Sequence, residues 1–351
     1  MSTDSTSTQG APGAAPDWAP WLQVQLEHLL RQPGHAWLLQ GPSGLGQQSL
    51  ALAAAAAWLC EAPTPHGACH ACASCRLLAA HTHPDLCVLM PETAMIALGW
   101  PLDEASQKKI DDKERKASRE IRVEAMRQAI EFSQRTSSRG RGKVLLVYPA
   151  ERMNAVTANA LLKTLEEPPG EVRFLLASEA AHQLLPTIRS RCLTHTMKWP
   201  EPQQAQSWLQ SRGLAPADAA VLLQACGGRP ADADAWARQD ADAREWQRLP
   251  RALAQGDVQA LAGRTPAQML DILVKLCHDL MAVAAGAPPR FFAAADLPAA
   301  PDLARLVAWG SRLKQLQRHA EHPFNAGLLQ ETLAAQTAAV LQPRGGRPAR
   351  A

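Results

Sequence analysis

With 351 residues, of which 46% are hydrophobic and 20% are charged, the chain has the composition of a globular protein of two or three domains. These values exclude a peptide, a fibrous protein and a chain that is disordered throughout. The formal net charge is only +3, from 36 Lys and Arg against 33 Asp and Glu, so we expect no surface that holds DNA unaided and any nucleic-acid role to be shared with partners.

The N-terminal residues, 1–16, are small and polar, and they predict a disordered leader without a secretory or transit signal. The longest apolar run, 50–60, is about half the ~20 residues that a membrane helix needs. We therefore expect a cytoplasmic protein with no membrane partner. Residues 343–351 are rich in Arg, Gly and Pro and predict a disordered tail.

Helices and strands alternate in the first half of the chain. Apolar residues at helical spacing predict helices over 18–31, 47–59, 121–135 and 155–165. Short apolar runs predict strands over 35–40, 85–90, 143–148, 172–177 and 192–197. This alternation is typical of an α/β domain with a largely parallel sheet that is covered on both faces.

The second half of the chain, from residue 201 onward, contains only helical patterns. We therefore expect the α/β domain to end near residue 198 and an all-helical half to follow it. The segment 91–120 is charged and irregular, and it predicts an insertion that is partly disordered.

The glycine-rich turn after the first strand has the form of a phosphate-binding loop. In such a loop the glycines let backbone N–H groups surround the phosphates, a lysine neutralises their charge and a hydroxyl binds magnesium. Gly41, Gly44 and Gly46 supply the turn, but Gln47 and Gln48 occupy the two chemical positions. An active ATP site and a retained but inactive loop both stay open, and the missing ammonium and hydroxyl groups favour the inactive loop.

The end of the third strand gives a second test of that site. Nucleotide hydrolases of this class place an Asp, often followed by Glu, there to hold magnesium and polarise water. Here the strand runs into Tyr148, Pro149 and Ala150, and the nearest acid is Glu151. Because two chemical elements are missing together, we expect no ATP hydrolysis by this chain.

Four cysteines lie within sixteen positions, with spacings that suit a structural zinc site: Cys60, Cys69, Cys72 and Cys75. In a reducing compartment such a cluster favours a metal over disulfides. Two alternatives stay open, a chance clustering and the replacement of one cysteine by His66 or His70. Four thiolates leave no open coordination position, so a catalytic zinc is not expected.

Ser190, Arg191 and Cys192 stand where a loop meets the fifth strand. An arginine near a strand start is usually a surface charge, and the pattern alone leaves a special role for Arg191 open. Glu166 and Glu167 have the pattern of an ordinary solvated helix end.

Together these segments resemble the delta-prime subunits of bacterial DNA polymerase III clamp loaders, which are members of the AAA+ superfamily. The resemblance covers about residues 17–240, and its most specific part is an unbroken stretch of eleven residues, 159–169. It rests on the loop 41–48, the four-cysteine module, His83-Pro84-Asp85, the stretch 159–169 and Ser190-Arg191-Cys192.

The resemblance separates two sister subunits of that complex. The motor subunits keep Lys and Thr in the loop and Asp-Glu on the strand, whereas Gln47, Gln48, Tyr148 and Pro149 match the non-hydrolysing delta-prime type. In that family the arginine of the Ser-Arg-Cys motif, here Arg191, reaches into the ATP site of a neighbouring motor subunit.

The resemblance also implies an architecture. An AAA+ α/β domain over 17–199, with a zinc module over 60–75 and a variable insertion over 91–120, precedes a three-helix lid over 200–241 and a helical collar over 242–342. The implied partners are motor subunits and delta in a hetero-pentameric ring and, through the complex, the sliding clamp and primed DNA. The implied cofactor is structural zinc.

The resemblance implies a stator that helps to load the sliding clamp during replication. The chain would be part of a DNA-directed DNA polymerase complex without intrinsic ATPase or polymerase activity. One alternative is an ATP-hydrolysing motor subunit of the same complex. The other is a zinc-dependent nucleic-acid-binding protein, against which stand the small net charge and the lack of a basic, aromatic-studded stripe around the cysteines.

Overall fold

The computed structural model describes residues 19–239, 242–317 and 326–342. The chain divides into two compact units, Met1–Gln204 and Ala205–Ala351. The predicted disordered leader and tail lie outside the described residues. Within the described part, no helix is both long enough and apolar enough to cross a membrane.

A parallel sheet forms the centre of the first unit. Its strands in the described residues are β1 Ala36–Gln40, β2 Leu86–Leu89, β3 Lys143–Val147, β4 Val172–Ser178 and β5 Leu193–Thr196. Their order is β2-β3-β4-β1-β5, and all neighbours are parallel. In the register, Leu38 of β1 faces Leu176 of β4 on one side and Thr194 of β5 on the other.

The described residues of the first unit form eight α-helices before residue 202: α1 Pro20–Arg31, α2 Gln47–Leu59, α3 Ala73–Ala79, α4 Glu92–Ala97, α5 Glu104–Asp111, α6 Val123–Gln134, α7 Ala155–Glu166 and α8 Pro186–Arg189. The helix α7 begins at a side-chain cap, where Asn154 accepts a hydrogen bond from the backbone N–H of Thr157 at 3.0 Å. It buries Leu161 and Leu165 in the core, while its last residue, Glu166, is exposed.

The predicted fold class, a parallel α/β domain followed by helices, is confirmed. All five predicted strands form, and their ends agree with the prediction to within one residue. This agreement follows from sequence runs that are apolar and bounded by glycine, proline or polar residues.

The segment 91–120 differs from the prediction, because it contains the helices α4 and α5. The segment is mostly polar, but an ion pair between two of its charged side chains holds it together. Glu92 is only 7% exposed and accepts hydrogen bonds from Arg115 Nη2 at 2.7 Å and from the Ser118 backbone N–H at 2.8 Å. These contacts order a segment that buries little apolar surface.

The helices after the sheet are α9 Pro202–Ser211, α10 Pro216–Ala225, α11 Pro230–Ala237, α12 Ala243–Ala254, α13 Pro266–Ala284, α14 Leu303–Gln317 and α15 Ala326–Leu341. A small apolar cluster joins α9, α10 and α11. A larger core contains Trp246 stacked on Phe292, with ring centres 4.4 Å apart. The predicted division between lid and collar near residue 241 stays a prediction, since residues 205–351 form one compact unit.

Candidate functional site

The sulfur atoms of Cys60, Cys69, Cys72 and Cys75 meet in one cluster, in which all lie within 4.8 Å of one another. The Sγ atom of Cys60 lies 3.4 Å from that of Cys69, 3.8 Å from that of Cys72 and 3.7 Å from that of Cys75. A tetrahedral zinc ion with bonds of about 2.3 Å to sulfur needs sulfur atoms about 3.8 Å apart. The cluster therefore has the donor set and the size that zinc requires.

Two helix ends hold the cluster. Cys60 follows the last residue of α2, Cys72 is the N-cap of α3, and Cys75 lies in the first turn of α3. Backbone N–H groups point at the sulfur atoms: that of Cys69 donates to Cys60 Sγ at 3.3 Å and that of Cys75 donates to Cys72 Sγ at 3.4 Å. Such donors stabilise thiolates, the form in which cysteine binds metal.

The four thiols differ in acidity. Hydrogen bonds from the backbone N–H groups of Ala71 and Cys72 lower the pKa of Cys69 to about 6, while burial raises the pKa of Cys60 and of Cys75. The pKa of Cys72 is lowered as well, because its burial is outweighed by hydrogen bonds from the backbone N–H groups of Glu61 and Cys75. A metal ion would displace the protons that remain on the thiols.

Neither His66 nor His70 takes the place of a cysteine in the cluster. Within the described residues, no histidine joins the cysteine cluster. His66 lies nearby but its Nδ1 atom pairs with Glu27 Oε1 at 2.7 Å. His70 has a left-handed backbone conformation, with φ of 56°, in the turn between Cys69 and Cys72.

The glycine-rich turn between β1 and α2 has the backbone conformation that its glycines predict. Gly44 and Gly46 have φ values of 77° and 94°, in the left-handed region that favours glycine. A Cβ atom at Gly46 would lie 2.9 Å from Leu22 Cδ1 of the helix α1, and one at Gly41 would lie 2.8 Å from Met197 Cβ. The loop is therefore closely packed on both sides, and α2 begins directly after it.

The side chain of Gln47 lies against the backbone of the glycine-rich loop. This side chain is 2% exposed, and its Nε2 atom donates to the carbonyl oxygen of Gly41 at 2.6 Å and to that of Pro42 at 2.7 Å. The Gln47 amide thus folds back onto the loop backbone. Gln48, the next residue, is partly exposed.

No acid stands directly at the end of β3, where Tyr148 and Pro149 follow the strand. The hydroxyl of Tyr148 donates to Glu179 Oε1 at 2.7 Å. Glu151, the nearest acid along the chain, is tied to the end of β4, since its carboxylate accepts from Ser178 Oγ at 2.7 Å and from the Glu179 backbone N–H at 3.1 Å.

Arg191 lies just after α8, and its side chain is 30% exposed. Its Nε atom donates to Glu166 Oε1 at 2.6 Å, and Nη2 donates to the same oxygen. Its Nη1 atom donates to the carbonyl oxygen of Thr187 at 2.9 Å. The neighbouring Cys192 is partly buried, and burial raises its pKa to about 12, while Ser190 Oγ donates to the carbonyl oxygen of Thr187 at 3.2 Å.

The sequence pattern does not predict the contact between Arg191 and Glu166. Glu166 has the pattern of a solvated helix end, yet it joins the stretch 159–169 to the Ser-Arg-Cys motif. The resemblance to the family offers a signal for this contact. The stretch 159–169 and Arg191 both belong to the segments that carry that resemblance.

Asp85 belongs to one of the segments that carry the resemblance, but the sequence predicts no structural role for it, and the structure shows it fully buried. Its carboxylate accepts hydrogen bonds from Ser137 Oγ at 3.0 Å and from the backbone N–H groups of Ser138 at 2.7 Å and Arg139 at 2.9 Å. Lys143 Nζ lies 3.6 Å from the same carboxylate. These bonds outweigh the effect of burial, so the pKa of Asp85 is lower than its ordinary value.

The comparison with protein families agrees with the resemblance. Residues 22–201 match the family described as DNA polymerase III, delta subunit. Three relatives carry the name DNA polymerase III subunit delta'. They are from Pseudomonas aeruginosa, 41% identical over 219 residues, Escherichia coli K12, 35% identical over 219 residues, and Yersinia pestis, 31% identical over 274 residues.

The matched regions cover 61%, 61% and 75% of this chain and 60%, 59% and 72% of the respective relatives. The chain thus spans about 60% of the length of the first two relatives. The family match covers more than half of the chain and includes the glycine loop, the cysteine cluster and Arg191. The chain therefore belongs to the DNA polymerase III delta-prime subunit family.

Proposed function

We propose that this chain acts as a stator in a bacterial clamp loader. In this role it helps to load the sliding clamp onto primed DNA, lends Arg191 to a neighbouring ATPase subunit and does not hydrolyse ATP itself. The observation that carries the proposal is the Gln47 side chain, which closes the phosphate loop from within.

The absence of hydrolysis follows from charge. Phosphoryl transfer spreads negative charge over the equatorial oxygens, and a lysine and a magnesium ion normally neutralise it. A neutral amide at Gln47 supplies no positive charge, and its two hydrogen bonds keep it on the loop carbonyls. The Glu151 carboxylate already accepts hydrogen bonds at the end of β4, so we do not expect it to bind a magnesium ion.

The cysteine cluster is proposed to hold a structural zinc ion, with Cys60, Cys69, Cys72 and Cys75 as its ligands. Zinc would supply four strong bonds that fix the loop between α2 and α3. With four thiolates in place no coordination position remains for water, so the ion would do no chemistry. The role of the zinc ion would thus be to stabilise the fold of the first unit.

Arg191 is proposed to act in trans. An arginine that a neighbour supplies to a phosphoryl-transfer site contributes roughly 10³-fold or more in rate. The Arg191 side chain is partly exposed, and bonds to Glu166 and to the Thr187 carbonyl orient its guanidinium group. The guanidinium group carries five N–H groups, more than its contacts within the described part of this chain use, so at least one N–H group is left for a phosphate.

The partners follow from the family. We propose that motor subunits and delta join this chain in a hetero-pentameric ring in the cytoplasm, where it meets the clamp and primed DNA through the complex. Residues 200–241 would form a lid, and residues 242–342 would form the collar that assembles the ring. The relatives' names, which assign them to DNA polymerase III, support this assembly.

Reconstitution tests the proposal. A complex of the other clamp-loader subunits is expected to load clamps only when this chain is added, and the isolated chain is expected to show no magnesium-dependent ATP turnover. Turnover by the isolated chain that the Gln47→Ala substitution abolishes would instead identify a motor subunit. Clamp loading at the full rate without the chain would contradict the stator role.

A further inference from the structure

The loop between α6 and β3 carries Arg139, and a buried carboxylate fixes its backbone. Asp85 accepts hydrogen bonds from the backbone N–H groups of Ser138 and Arg139, at 2.7 and 2.9 Å. Asp85 directly precedes β2, and its side chain is fully buried. The position of Arg139 is therefore set by the sheet.

The side chain of Arg139 reaches from this loop to the cysteine module. Its Nε atom donates to Ser74 Oγ at 2.9 Å, and its Nη2 atom pairs with Glu61 Oε1. Glu61 directly follows Cys60, and Ser74 directly precedes Cys75. One guanidinium group thus bridges the two ends of the segment that carries the four sulfur atoms.

The bridge acts by geometry rather than by charge. The side chains of Arg139 and Glu61 are 31% and 40% exposed, and ion pairs at such sites contribute little by attraction alone. Ser74, in contrast, is fully buried, so its bond to Arg139 has a fixed direction. A planar guanidinium can serve both acceptors at once, which a single ammonium group cannot do with the same rigidity.

We propose that Arg139 is a positioning residue of the cysteine cluster, which holds Cys60 and Cys75 at the spacing that zinc requires and so raises the affinity of the chain for zinc. The inference rests on the proposed structural zinc. Residues that orient metal ligands without touching the metal typically change metal affinity 10- to 100-fold when they are replaced. Arg139 is in that position relative to two of the four ligands.

The test measures the zinc affinity of the full chain by competition with a chromophoric chelator. Arg139→Ala is expected to raise the dissociation constant for zinc by about 10- to 100-fold. Arg141→Ala is the matched control, because Arg141 is an exposed arginine of the same loop, and it is expected to stay within about twofold of the unchanged chain. Circular dichroism of the zinc-loaded proteins checks that the sheet is intact.

A second variant keeps the test decisive if Arg139→Ala fails to fold. Glu61→Ala removes the other end of the bridge and is expected to weaken zinc binding in the same range. If both residues act through one contact, the double variant is expected to bind zinc no more weakly than the weaker single variant.

The outcomes separate this inference from the proposed zinc site. Zinc affinity within about twofold of the unchanged chain in both Arg139→Ala and Glu61→Ala would overturn the role of Arg139 and leave the zinc site standing. Effects of the two substitutions that simply add would also overturn it, since they would be independent. An unchanged chain that binds no zinc would overturn the zinc site and this inference together.

Discussion

The fold-back of Gln47 leads to a prediction about local stability. The substitution Gln47→Ala removes the buried amide whose Nε2 atom donates to the carbonyl oxygens of Gly41 and Pro42. Each buried hydrogen bond is worth about 1 kcal/mol net, so the closed loop should lose about 2 kcal/mol relative to its open states. That difference corresponds to about a 30-fold rise in the population of open states.

Hydrogen exchange measures this local opening without requiring the whole chain to unfold in one step. In a peptide that covers the loop and the first turn of α2, Gln47→Ala is expected to speed amide exchange by about 30-fold. Gln48→Ala is the control, because this neighbour is partly exposed. A rise below about threefold for Gln47→Ala, or an equal rise for Gln48→Ala, would show that the Gln47 amide does not hold the loop closed.

Three further predictions concern the first unit. Metal analysis of protein purified without a histidine tag should find about one zinc per chain, and chelation should speed hydrogen exchange over 60–75 but not in the sheet; less than half an equivalent of zinc would contradict this. Asp85→Asn should lower the melting temperature, because it leaves the nearly buried Lys143 without its counter-charge at 3.6 Å, a loss worth about 3–5 kcal/mol; a shift no larger than that of an exposed Asp→Asn change would argue against it. Burial lowers the pKa of His195 below its ordinary value of 6.5, so the unfolded chain takes up a proton first as the pH falls. Stability should therefore decline as the pH falls from about 7 towards 5, and His195→Gln should flatten that decline; an unchanged slope in a pH series of melting temperatures would exclude the effect.

The sheet could be predicted from the sequence because its strands are local features. A run such as 172–177 is apolar and bounded by polar or turn residues, and the resulting strand, Val172–Ser178, differs by one residue. The cysteine cluster was equally accessible, since the spacing from Cys60 to Cys75 suffices to suggest four sulfur atoms around one point.

The parts that sequence reasoning missed depend on contacts between distant residues. The ion pair of Glu92 and Arg115 joins positions 23 residues apart and orders a segment whose composition favours disorder. The contact of Arg191 with Glu166 spans 25 residues. The spacing of residues in the sequence predicts contacts only within one helix turn or one strand pair. Contacts between distant residues form only when the sheet brings their elements together, so the spacing does not predict them.

The role of Arg191 is tested most directly by single-turnover ATP hydrolysis in a reconstituted complex whose other ATP sites have been inactivated. With Arg191→Ala in this chain, we expect the rate at the remaining site to fall roughly 10³-fold, while zinc content and ring assembly stay intact. Arg189→Ala replaces the exposed last residue of α8 and should leave the rate unchanged. A rate for Arg191→Ala within about twofold of the unchanged complex would mean that the arginine is only a surface charge, and would contradict the proposed stator.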